Sequence, residues 1–81
     1  MNYPNPFNNS TLLIYNLPKR AQVNISVHNI LGQEIVVLFS GHREAGKHEI
    51  HWDASPYPSG TYFIRYQAGD YSMVNKCILL K

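Results

Sequence analysis

The sequence predicts an all-β fold, a single Ig-like antiparallel β-sandwich of about seven strands. Three observations carry this. Apolar and polar residues alternate with period two in several short runs, which buries one face of a strand and wets the other. Turn signals built on Gly, Pro, Asn and Asp recur every 8 to 12 residues, the spacing of a sandwich. No segment shows a helical period with caps. A chain of 81 residues suits one modest core, so residues 1–81 are read as one domain. Met1 ahead of Asn2 looks like an added start, and the domain is read as cut from a larger secreted protein.

The clearest strand follows Pro58-Ser59-Gly60. Proline fixes φ and glycine accepts the opposite sign, so this triplet reads as a tight turn. Tyr62, Ile64 and Tyr66 then face inward, while Arg65 and Gln67 face water. Phe63 places an aromatic ring on the wet face. Upstream, Asn5 and Pro6 belong to an opening that cannot be helical, because Pro4 and Pro6 forbid it. A short strand is expected somewhere in residues 2 to 7, with Tyr3 and Phe7 tucked against the sandwich edge.

Residues 11 to 17 form the next strand, with Leu13, Tyr15 and Leu17 on one face. Residues 22 to 28 alternate throughout, Val23, Ile25 and Val27 pointing in. Asn29-Ile30-Leu31-Gly32 is a turn, and Gly32 supplies the positive φ. Residues 34 to 39 form a β-branched strand. Ser40 to Gly46 reads as a polar connector. Residues 47 to 52 alternate again, with His48, Ile50 and Trp52 inward. Gly69 closes a hairpin, and residues 71 to 80 form the last strand. In that strand Ile78 and Leu80 are the residues expected to complete the core.

Composition excludes several functions. The net charge is +2 and the basic residues stand singly apart from Lys19-Arg20, which is no nucleic-acid footprint. The longest apolar run, Ile35 to Phe39, is too short for a transmembrane segment. The single cysteine, Cys77, forms no internal disulfide and reads as an apolar packing residue. His48 and His51 are three apart on a strand and face opposite ways, so they do not grip one metal ion. The five acids, Glu34, Glu44, Glu49, Asp53 and Asp70, form no spaced catalytic pair. No phosphate cradle or nucleophile motif is present. No catalytic, cofactor or metal residue is assigned. The residues alone indicate a binding or structural module.

Several words in order extend this. They are Asn2-Tyr3-Pro4-Asn5-Pro6-Phe7-Asn8, then Ser10-Thr11 and Leu17-Pro18, then Ile30-Leu31-Gly32-Gln33-Glu34. Ala45-Gly46 with His48 and Ile50, Asp53-Ala54-Ser55, Pro58-Ser59-Gly60-Thr61-Tyr62 and Ala68-Gly69-Asp70 follow. Lys76 and Leu79-Leu80-Lys81 end the series. Together they resemble the type A C-terminal sorting domain of type IX secretion in Bacteroidetes, over residues 2 to 81. A single lysine, Lys76, stands where that family often has two. The resemblance implies an Ig-like fold, also found in the flagellar hook-capping protein. It implies no enzyme activity and no cofactor. It implies a cargo domain N-terminal to the tail, export through periplasm and outer membrane of a Gram-negative cell, and a secreted or cell-surface destination. The partners it implies are the outer-membrane translocon and a sortase-like peptidase.

The last strand is the natural handle, and Lys76, Ile78, Leu79, Leu80 and Lys81 are the candidate recognition residues. Removing residues 77 to 81 is expected to abolish export. An exposed last strand would also support a β-strand-mediated dimer. The alternative function is an Ig-like accessory module. It would be an architectural spacer, or a carbohydrate binder using Phe63 and Tyr57.

Overall fold

A computed structural model describes residues 6–7 and 10–81, the first pair as backbone only. The elements are β1 (Pro6–Phe7), β2 (Ser10–Leu17), β3 (Ala21–His28), β4 (Glu34–Arg43), β5 (Gly46–Asp53), β6 (Gly60–Ala68) and β7 (Tyr71–Leu79). Two sheets face each other, one in the order β1-β7-β6-β3-β4 and the other formed by β2 and β5. This is the Ig-like sandwich expected. All pairs are antiparallel except β1 with β7, which run parallel through Pro6–Ile78 and Phe7–Leu79. Pro6 is therefore a strand residue; Asn5 and Tyr3 lie outside the described residues. Proline suits an edge strand, where its missing N–H costs no ladder bond.

The core lies between the sheets. Leu13, Tyr15 and Leu17 of β2 and Trp52 of β5 meet Val23, Ile25 and Val27 of β3, Tyr62, Ile64 and Tyr66 of β6, and Cys77 and Leu79 of β7. All of these are buried, as alternation on β2, β3, β5 and β6 requires. Tyrosine rings fill space that aliphatic side chains would leave open. The Tyr15 and Tyr66 rings lie 5.1 Å apart, and the Trp52 ring meets Tyr62 edge-on at 5.4 Å, a favoured aromatic geometry.

Two segments differ from the sequence reading. The polar connector expected over Ser40 to Gly46 is mostly strand, since β4 continues to Arg43 opposite Ala21. As an edge strand it needs little apolar content, because the β3 ladder holds it. In β7 it is Cys77 and Leu79 that turn inward. Ile78 is half-buried on the outer face and Leu80 is half-exposed, which corrects the expected core pair.

The turn glycines act differently from one another. Gly69, at φ +58, takes the first position of the two-residue β6–β7 hairpin turn, a site that suits glycine. Its N–H also donates to the Gln22 carbonyl at 3.0 Å. Gly46 and Gly60 open β5 and β6. Pro58 has a role its φ did not reveal: its carbonyl accepts from the Tyr62 hydroxyl at 2.6 Å. A tyrosine near the start of this strand bonding back to backbone is the tyrosine corner of Ig-like domains. Tyr62→Phe is expected to cost about 1 kcal/mol and lower the melting temperature by about 4–8 °C, read by circular dichroism.

Candidate functional site

The topology gathers several ends at one pole of the sandwich: the β3–β4 turn, the β5–β6 loop and the C-terminal end of β7. Cross-strand pairing sets which side chains share a surface. On the outer face of the five-stranded sheet, one row runs Glu34, His28, Phe63, Lys76. The next runs Val37, Ser26, Arg65, Val74. Ile78 sits opposite Thr61, further toward the pole. Lys76 and Ile78 thus point away from the core on the same face, two residues apart on one strand.

Beyond Leu79 the chain is not loose. The Lys81 backbone N–H donates to Ser59 Oγ at 3.1 Å, and its Nζ donates to the Ser55 carbonyl. The loop it grips is itself braced: Asp53 Oδ1 accepts from the Ser55 N–H at 3.0 Å and from Ser55 Oγ at 2.7 Å. These bonds hold the Asp53 carboxyl below the usual carboxylate range, with a smaller contribution from the Lys81 charge. Lys81 is a clasp joining the chain end to the β5–β6 loop, and it leaves Leu80 half-exposed beside it.

Of the five candidate recognition residues, Lys76, Leu80 and Lys81 are exposed and Ile78 is half-buried. Leu79 has no accessible surface. It holds the pole's fold and is out of reach of a partner that meets the folded domain. The edge of β7 is paired with β1 only at Ile78 and Leu79 among the described residues.

The aromatic pair considered for sugar stacking is not brought together. Phe63 lies on the outer face, opposite His28 and Lys76. Tyr57 packs inward, its ring 5.7 Å from Trp52 and 6.5 Å from Tyr62. His48 stacks on Tyr15 at 5.5 Å and donates from Nε2 to the Glu44 carbonyl at 2.7 Å, while His51 is exposed. Among the described residues no three His, Cys, Asp or Glu side chains gather as a metal site. Among them too, no helix is long and apolar enough to cross a membrane. Cys77 is a free, buried thiol, and burial pushes its pKa up to about 11, so it is a poor nucleophile at neutral pH.

The class defined by fold and site is an Ig-like sandwich module that presents its braced chain end, with an apolar and basic outer face beside it. A family model described as the secretion system C-terminal sorting domain matches residues 2–80, and the chain belongs to that family. It is a C-terminal sorting signal for type IX secretion of a cargo protein. No curated protein and no solved structure matches the chain.

Proposed function

We propose that the tail is recognised as a folded domain, by the outer-membrane translocon of type IX secretion, through the pole that carries the end of β7. The observation that carries this is the joint presentation of Lys76, Ile78, Leu80 and Lys81 on one pole, with Lys81 clasped in place. A braced terminus loses little freedom on binding, so its contacts convert more fully into affinity. The cargo is joined N-terminally and passes through the periplasm and across the outer membrane of a Gram-negative cell. It ends secreted or held at the surface, after a sortase-like peptidase acts at the junction.

The test is a folded reporter with an ordinary signal peptide, fused ahead of residues 2–81 and expressed in hosts with and without the translocon. Reporter outside only the competent host is the expected result. The triple variant Lys76→Ala, Leu80→Ser, Lys81→Ala is expected to cut export at least about tenfold, since interface charges and apolar anchors carry binding unevenly. Its melting temperature should stay within a few degrees of wild type. Equal retention of the wild-type fusion in both hosts, with the tail folded, would sink the reading and leave an accessory module.

A further inference from the structure

The two most exposed large apolar residues among those described are neighbours. Ile30 is 71% exposed and Leu31 77%, at the tip of the β3–β4 turn. Single exposed aliphatics are ordinary on protein surfaces. Two in succession on a turn that is held from beneath are not explained by folding. The turn's polar groups are spent on bracing its root. The Gly32 N–H donates to the Asn29 carbonyl and the Asn29 N–H to the Gln33 carbonyl, each at 3.0 Å. Asn29 Oδ1 accepts from the N–H groups of Leu31 at 2.9 Å and Gln33 at 3.0 Å. Asn29 Nδ2 donates to Gln33 Oε1 at 2.9 Å. Gly32 holds φ +81, and among the described residues nothing beyond its chain neighbours touches the space around its missing Cβ.

We infer that the Asn29–Gly32 turn is a preformed apolar finger whose Ile30 and Leu31 side chains enter an apolar pocket on a protein of the sorting machinery. This rests on the sorting function proposed above and extends it to a second, sequence-distant part of the recognition surface. The finger rises from the pole that carries the chain end. Its root residue His28 belongs to the same cross-strand row as Phe63 and Lys76. A shallow hollow of about 320 Å³ lined by His28, Asn29, Gly32, Phe63, Arg65 and Val74 joins the two. One partner surface can therefore cover finger, hollow and the outer face of β7.

The surroundings favour a protein over a lipid surface. A braced tip suits a shaped pocket, because its backbone is already ordered and only the two side chains have rotamer freedom to lose. Membrane-inserting loops carry flanking Lys, Arg, Trp or Tyr, whereas this tip is flanked by Asn29, Gln33 and Glu34. The hollow beside it bears Arg65, with Lys76 adjoining, while Glu34 stands at the finger's own root, so the complementary pocket is apolar with acidic groups on the side that meets the hollow.

The experiment compares export of the reporter carrying the wild-type tail, the double variant Ile30→Ser/Leu31→Ser, and His51→Ser, an exposed change on β5 in the other sheet. The double variant is expected to export about thirtyfold less, the loss of a binding hot spot, with an unchanged melting temperature. His51→Ser should export as wild type. A wild-type tail that exports alongside an equally competent double variant overturns the finger and leaves the sorting reading intact. A wild-type tail that fails in the competent host overturns the sorting reading itself. The purified wild-type tail is expected neither to sediment with phosphatidylethanolamine–phosphatidylglycerol vesicles nor to change mass with concentration. Sedimentation lost in the double variant would replace the protein pocket with lipid, and self-association lost in it would replace it with a second copy.

Discussion

A tail cut after Lys76 is expected not to fold. The cut removes Cys77 and Leu79, both in the core, and Leu79 has no accessible surface at all. It also removes the last three pairings of β7 with β6, Cys77 to Tyr62, Ile78 to Thr61 and Leu79 to Gly60, and the Lys81 clasp. Truncating a fully buried leucine to alanine alone costs about 2–5 kcal/mol. A domain of this size has roughly 4–12 kcal/mol in total. Leu79→Ala should therefore leave a folded but weakened domain, melting about 12–30 °C lower. The cut chain should show no cooperative transition in urea followed by Trp52 emission. Leu80→Ser should change stability by less than about 0.5 kcal/mol, because its side chain is half in water already. A cut chain that kept a cooperative transition would contradict the placement of Leu79 in the core. The consequence for export is direct. Loss of secretion on deleting residues 77 to 81 reports unfolding as readily as lost recognition, so only the exposed positions separate the two.

Strands with one wet face were legible because burial and period two agree. Val23, Ile25 and Val27 alternate with polar residues and are all fully buried. Legibility failed where that agreement fails. Cys77, Ile78, Leu79 and Leu80 are consecutive apolar residues, so the period alone cannot choose a face. The choice is made at the far end of the strand, where the Gly69 turn fixes Ala68 against Tyr71 and carries the register through to Gly60 against Leu79. Ser40 to Arg43 read as loop because an edge strand can be polar on both sides, and its pairing with Ala21 to Asn24 is a long-range fact. The turn at Asn29 to Gly32 was readable from its residues. Its place beside the chain end was not, because that depends on β3 lying next to β6. The corner made by Tyr62 and Pro58 does carry a sequence signal: a tyrosine two residues into a strand that follows a loop, in an Ig-like chain.

Alkaline pH is expected to destabilise the domain steeply. Burial raises the Cys77 thiol from 9.0 to about 11. Burial also raises the Tyr62 hydroxyl, helped by Tyr57 and Cys77, and the Tyr66 hydroxyl, helped by Tyr15 and Tyr71. All three groups are neutral when protonated, and the folded state holds the proton more tightly than the unfolded chain does. Below pH 9 both states keep the thiol protonated and its contribution is fully present. Above pH 9 the unfolded thiol ionises while the folded one does not, and stability falls until the folded pKa near 11 is passed. For Cys77, which is 6% exposed, that loss amounts to about 2–3 kcal/mol. The tyrosines add to it from about pH 10 upward, in the same direction. Urea unfolding at intervals from pH 7 to 11 should show a plateau to about pH 8.5 and then a decline. Cys77→Ala should start lower at pH 7, because it opens a cavity, yet decline less by about 2–3 kcal/mol over the same range. Parallel profiles for the two proteins would show that the thiol is not shielded in the folded state. Slow native-state alkylation of Cys77 at pH 8, accelerating in urea to the rate of a free thiol, would give the same answer by a second route, since reaction then waits on opening of β7.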